Sequence, residues 1–106
     1  MKYYAIVEID LTDQSWVADY AREVTKMVER HGGRYLARTA GAEKVEGGRK
    51  LAQIVVILEW PSKEAALAFY QSEEYRPFLQ RRLSGARNEF CLVPGEDVTK
   101  TARIPE

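Results

Sequence analysis

The sequence contains only one cysteine and one histidine among 106 residues. A single cysteine, Cys91, excludes an internal disulfide, and its apolar neighbours predict a buried thiol in a strand. A single histidine, His31, excludes any metal site with several histidine ligands, and no Cys/His cluster exists for zinc. His31 could serve as a haem ligand or a general base, but its place at the end of a helical pattern favours an interaction with the helix dipole. We therefore expect neither a metal nor a cofactor.

The chain also lacks an excess of charge and a long hydrophobic run. Sixteen basic and sixteen acidic residues cancel, and neither sign forms a long block, so nucleic-acid binding is not expected. No stretch approaches the roughly 18 apolar residues of a membrane span, and the N-terminus has no signal-peptide pattern. These features predict a soluble cytoplasmic protein that does not associate with membranes.

Two common catalytic signatures are missing as well. Gly41, Gly47 and Gly48 have neither the spacing nor the lysine-serine ending of a phosphate-binding loop, so nucleotide binding is not supported. Ser62 and Ser72 have no histidine near them in the sequence, and neither lies in a nucleophile elbow.

What the sequence does contain is two copies of a strand-helix-strand pattern. The predicted helices begin after Thr12 or Asp13 as N-cap, after Ser62 as N-cap and at Glu73. The first of them ends at Gly32-Gly33, since glycine adopts the left-handed conformation of a helix C-cap without strain. The predicted strands are residues 3–9, 34–38, 51–58 and 87–94.

The order β-α-β, β-α-β predicts an α+β protein with the ferredoxin-like fold, in which a four-stranded antiparallel sheet carries its helices on one face. We expect one domain over residues 1–95 and a tail over 96–106 that is flexible or packs on a partner. Both faces of the strands at 3–9 and 51–58 are largely apolar. The face without helices is therefore expected to pair with a second copy, forming a homodimer of the dimeric α/β barrel type.

The segments YAIVEIDLTD, HGGRYLAR, VEGG, VVILEWPSKEAALAFYQSEEYRPFLQRR and FCLVPG together resemble the domain of unknown function 1330 family of small dimeric α/β barrel proteins. The resemblance covers roughly residues 3 to 95. It implies the same fold and dimerisation, and little chemistry, because the family has no established activity. The positions that characterise the family correspond in this sequence to Arg38, Glu46, Gly47, Glu59, Phe69, Tyr70, Ser72, Tyr75 and Arg82. The loop after Arg38 reads TAG where the family commonly has two glycines.

The candidate ligand-binding residues are Arg38, Glu59, Tyr70, Tyr75 and Arg82. Arg38 and Glu59 are placed near the ends of paired strands, so they could form an anion clamp or an acid–base pair. The alternative, which the sequence favours, is a structural ion pair at the end of the sheet. For the two tyrosines the sequence favours core positions with satisfied hydroxyls over a role in the site. Arg82 follows Arg81, and one of two adjacent arginines on a short helix must point to solvent; the family pattern selects Arg82 for the site.

Three functions remain open at this point. The first is a homodimer that binds a small organic molecule in a pocket between sheet and helices. The second is a cofactor-independent enzyme, such as the monooxygenases, isomerases and decarboxylases found among other dimeric α/β barrels, an analogy of fold alone. The third is a structural or interaction protein without a ligand.

Overall fold

The structure, a computed structural model, describes every residue from Met1 to Glu106. Four strands and three helices follow one another in the order expected from the two β-α-β halves, with the second crossover divided into two helices. In chain order they are β1 (Tyr3–Leu11), α1 (Val17–Arg30), β2 (Arg34–Thr39), β3 (Ile54–Trp60), α2 (Lys63–Tyr70), α3 (Arg76–Gly85) and β4 (Ala86–Pro94).

The strands form one antiparallel sheet in the order β2-β3-β1-β4. β3 lies between the two strands of the first half, and β1 lies between the two strands of the second. This interleaving is the ferredoxin-like topology, so the predicted fold class is confirmed. None of the three helices has the length and apolar character that a membrane crossing requires.

Several local predictions are confirmed and others are wrong. The Ser62 hydroxyl accepts a hydrogen bond from the Ala65 N–H at 3.1 Å, as expected for an N-cap. Gly32 adopts a φ of +90°, which explains why a glycine follows α1. The strand predicted at 51–58 instead runs from Ile54 to Trp60. The first residues of the predicted strand belong to the preceding loop. The Gln53 N–H donates to the Asp10 carboxylate at 2.8 Å and thereby connects this loop to β1.

The predicted capping of α1 by Thr12 or Asp13 is also wrong. The Asp13 carboxylate accepts from the Ser15 N–H at 3.0 Å and forms a local turn, while Trp16 occupies the N-cap position without a side-chain cap. The N–H groups of Thr12 and Asp13 donate to the Gly85 carbonyl at 2.9 and 3.1 Å. The β1–α1 connection is therefore held by the end of α3 rather than by its own cap.

The core lies between one face of the sheet and the helices. Alternate residues of the two inner strands point into it, among them Ala5, Val7, Val56 and Leu58. Residues of the opposite parity form the face that no helix covers, here called the open face: Tyr4, Ile6, Glu8, Val55, Ile57, Glu59, Cys91 and Val93. Cys91 is exposed, so the prediction of a buried thiol is wrong in the single chain, because its strand position points away from the helices.

Beyond β4 the chain is mostly exposed, but one turn is ordered by hydrogen bonds. The Asp97 carboxylate accepts from the backbone N–H groups of Ala102, Thr99 and Thr101. These bonds, led by the one from Ala102, hold the pKa of Asp97 well below its usual range.

Candidate functional site

A cavity of about 320 Å³ lies between α1 and the helix-covered face of the sheet. Seventeen of the twenty residues that line it are hydrophobic, and the other three are Arg38, Thr39 and Arg82. Small side chains in the middle of α1, Ala21 and Val24, border the space. The volume is in the lower part of the range of roughly 300–1,000 Å³ that is typical of ligand pockets.

Three polar side chains meet on the inner wall of this cavity and are here called the donor cluster: Tyr20, Tyr75 and Arg82. The two tyrosine hydroxyl oxygens are 2.6 Å apart, and the Arg82 Nε–H donates to Tyr20 Oη at 3.2 Å and to Tyr75 Oη at 3.3 Å. Tyr75 and Arg82 are only 1% and 2% exposed. They come from the start and the later turns of α3, and Tyr20 comes from α1, so the packing of the two helices assembles the cluster.

Arg82 is buried without an acidic partner. No ion pair of the structure includes it, and its Nη2 has no hydrogen-bond acceptor. No carboxylate or imidazole lines the cavity. Buried arginines are almost always paired, because an uncompensated charge in a protein interior is costly. The preceding residue, Arg81, instead points outward and binds the Asp19 carboxylate at 2.8 Å.

The ionisation of the donor cluster follows from its burial. Burial raises the pKa of Tyr20 well above its usual value, and the nearby Tyr75 raises it further. Burial alone would lower the pKa of Arg82, but the hydroxyls of Tyr20 and Tyr75 outweigh it, so this pKa lies above its usual value. At neutral pH Tyr20 is therefore a neutral phenol and Arg82 a guanidinium cation.

The mouth of the cavity lies at the end of β2, where Arg38, Thr39 and Ala40 are exposed and line the opening. The Arg38 guanidinium stacks on the Tyr35 ring, with 4.4 Å between its Cζ and the ring centroid, and donates to Thr25 Oγ1 at 3.0 Å. Arg38 has no carboxylate partner either. Both charged residues that line the cavity are thus cations.

The structure brings three of the five candidate residues to this cavity: Arg38, Tyr75 and Arg82. Tyr70 lies behind the lining, with its ring centroid 6.1 Å from that of Tyr75 and 5.3 Å from that of Phe90. Tyr70 therefore packs as a core residue, which the sequence analysis gave as the alternative to a role in the site.

Glu59 lies on the open face, away from the cavity. Its carboxylate binds Lys2 at 3.2 Å and Arg34 at 2.9 Å. The predicted contact between Arg38 and Glu59 is therefore wrong, whether as a clamp or as a structural pair. Strand register explains the error: Glu59 pairs with Arg34, whereas Arg38 pairs with Val56, whose side chain points toward the helices.

Sequence reasoning missed Tyr20 as a site residue. It lies in the apolar stripe of α1, where a tyrosine is indistinguishable from a core residue by spacing alone. Its partners Tyr75 and Arg82 are 55 and 62 positions away. The sequence does show polar side chains on two helices that must pack on the same face of the sheet. It does not show which of these side chains come into contact.

A ferredoxin-like α+β domain with an apolar cavity under its first helix is the class of protein that these features define. The chain belongs to the family described as Domain of unknown function (DUF1330), which it matches over residues 2–96. The family resemblance seen in the sequence is confirmed. No curated protein matches the sequence.

Solved structures show the same fold at low sequence identity. RPA0582, a protein of unknown function from Rhodopseudomonas palustris, is 18% identical with a TM-score of 0.73, covering 91% of this chain and 84% of its own. SnoaB, a cofactor-independent oxygenase from Streptomyces nogalater, is 12% identical with a TM-score of 0.66, covering 93% and 97%. At these identities the similarity establishes the fold and nothing further.

Proposed function

We propose that the protein is a homodimer in which each subunit binds a small organic molecule in the cavity between α1 and the sheet. The observation that carries this proposal is the cavity itself, which combines apolar walls with a few converging polar groups. That combination is typical of small-molecule sites. Arg38, Tyr75 and Arg82 from the sequence prediction, together with Tyr20, are the residues proposed to contact the ligand.

The homodimer is proposed to form through the open face. Ile6 and Ile57 are directly opposite each other in its middle, and Cys91 flanks Ile6 on the other side. An apolar sheet centre of this kind usually marks an interface, and a two-fold axis would pack one sheet on the other. Because the cavity lies on the opposite side of the sheet, dimerisation would leave both cavities reachable.

Thermal unfolding in the presence of a diverse panel of small metabolites tests the binding proposal. A ligand that binds only the folded state raises the unfolding midpoint. At a free ligand concentration one hundred times the dissociation constant, the added free energy of unfolding is about 2.7 kcal/mol. We expect a subset of the panel to stabilise the wild-type protein.

A matched pair of substitutions locates the binding. Ala21 lines the cavity, whereas Ala18 is exposed on the same helix. Ala21→Phe should fill the space and remove the stabilisation, while Ala18→Phe should leave it intact. Stabilisation that persists in Ala21→Phe would place the ligand elsewhere and contradict the proposal.

Catalysis without a cofactor is the second candidate, and one observation favours it. A fixed cation in a mostly apolar cavity is suited to stabilising negative charge that develops on a substrate. Each molecule that stabilises the protein would be incubated with it in air and analysed by mass spectrometry. A new product made by the wild type and by Ala18→Phe, but not by Ala21→Phe, would identify an enzyme; an unchanged spectrum supports binding alone.

A further inference from the structure

We infer that the ligand of the cavity is an organic anion with an apolar aromatic body, and that the Arg82 guanidinium binds its carboxylate or equivalent oxyanion. The inference rests on the proposed function and names the chemical class of ligand for the same site. It assigns Tyr20 and Tyr75 as the groups that position Arg82 and contribute a hydroxyl donor.

The charges that line the cavity favour an anionic ligand. Arg82 is 2% exposed and has no anionic partner, and no carboxylate lines the cavity to compensate it. The other charged residue of the lining, Arg38, is also a cation without an acidic partner. A cavity whose only charges are two guanidinium groups is complementary to an anion, and a cation there would meet uncompensated repulsion.

The donor cluster has more hydrogen-bond donors than the protein supplies acceptors for. Of the two tyrosine hydroxyl protons, one is used in the bond between Tyr20 and Tyr75, and the other has no acceptor in the protein. The Arg82 Nε–H is shared between the two hydroxyl oxygens, and Nη2 has no acceptor. The buried Oδ1 of Asn88 also lacks a partner, but an amide oxygen is neutral and leaves the charge in place. The donor cluster therefore lacks an anionic acceptor.

The remaining walls of the cavity are apolar and partly aromatic. Trp16, Phe69 and Phe90 contribute aromatic surface to the lining, and the Arg82 Cζ lies 5.8 Å from the Phe90 ring centroid. The volume is about twice the roughly 150 Å³ of a cavity that binds benzene. An aromatic acid of up to about two fused rings fits this space, with its charged end at the donor cluster.

Calorimetry with a matched pair of probes tests the inference: 2-naphthoate and its neutral counterpart 2-naphthalenemethanol. Hydrogen bonds to charged groups predict that the wild type binds the acid roughly 10- to 100-fold more tightly than the alcohol. Arg82→Met should remove that preference. Arg81→Met, which removes the adjacent exposed guanidinium, should retain it.

Two further measurements keep the test independent of folding defects in the variant. Replacing a buried charge that has no counter-ion by an apolar side chain of similar length is expected to leave the unfolding midpoint unchanged or higher. In the wild-type protein, the Arg82 Nε–H resonance should shift on addition of 2-naphthoate and stay in place with the alcohol.

The outcomes separate this inference from the proposed function. Equal affinity for both probes in the wild type, abolished for both by Ala21→Phe, would overturn the anion assignment and leave cavity binding intact. Failure of both probes to bind at millimolar concentration would count against both proposals. A marked fall in the unfolding midpoint of Arg82→Met, with the probe preference retained, would make Arg82 a structural residue and overturn its assigned role.

Discussion

Arg81 and Arg82 are adjacent in the sequence and have opposite environments. Arg81 is exposed and binds Asp19, whereas Arg82 is buried beside two phenols. Consecutive residues of a helix are separated by about 100° around its axis, so only one of the pair can face the sheet. Helical spacing predicts that the two differ, but it does not say which is buried. The family pattern selected Arg82, and the structure also places Arg82 inside.

Tyr20 provides a prediction at the residue scale. Because burial raises its pKa in the folded state above that of the unfolded chain, its contribution to stability is complete below about pH 10 and declines as the pH rises through the folded-state pKa. An alkaline titration followed by tyrosinate absorbance should show a late component in the wild type. Burial also raises the pKa of Tyr35, so Tyr20→Phe should reduce the amplitude of that component rather than abolish it, whereas Tyr3→Phe should leave it unchanged. A late component of undiminished amplitude in Tyr20→Phe would contradict the assignment.

At the scale of elements, the junction between α3 and β4 fixes the start of α1. The Gly85 carbonyl accepts from the N–H groups of Thr12 and Asp13 and from the Trp16 indole Nε1–H at 3.2 Å. A Cβ atom on Gly85 would lie 2.2 Å from Trp16 Nε1. Trp16 also lines the cavity, so this junction connects the site to the fold.

Gly85→Ala should therefore destabilise the protein by about 1–3 kcal/mol, the usual cost of overpacking a filled interior. Denaturant unfolding followed by tryptophan fluorescence measures the free energy of unfolding. Ser84→Ala, at the adjacent exposed position, is the control and should change it by less than about 0.5 kcal/mol. A Gly85→Ala variant as stable as the wild type would show that the indole can move aside at no cost.

At the scale of the whole molecule, the open face determines the prediction for assembly. Light scattering of the wild type should give the mass of a dimer at micromolar concentration. Ile57→Asp places a carboxylate in the apolar centre of the open face. In a two-fold dimer each subunit would contribute one such carboxylate to the interface. Burying it unpaired costs roughly 3 kcal/mol or more, which weakens association at least about 100-fold and should yield a monomer.

Leu83→Asp is the control for this prediction, because Leu83 is an exposed apolar residue of α3 in the helix layer. It should leave the dimer unchanged. A wild-type protein that is monomeric at micromolar concentration, or an Ile57→Asp variant that stays dimeric, would place the interface elsewhere or exclude it.

The sequence by itself determined the order of the elements, and through it the sheet. Apolar periodicity, the Ser62 cap and the glycines after α1 are local signals that depend on residues a few positions apart. Two strand-helix-strand halves in this order have few ways to form one sheet, so the ferredoxin-like fold followed from local information.

Only the tertiary structure decided which side chains share a site. The register of β2 with β3, including the irregularity between Tyr35 and Ala37, placed Arg38 at the cavity and Glu59 on the open face. A shift of one residue reverses the face of every side chain in a strand, and no local signal sets that register. The contact of Tyr20 with Arg82 joins two helices through the packing of both on one sheet, so it exists only in the folded chain.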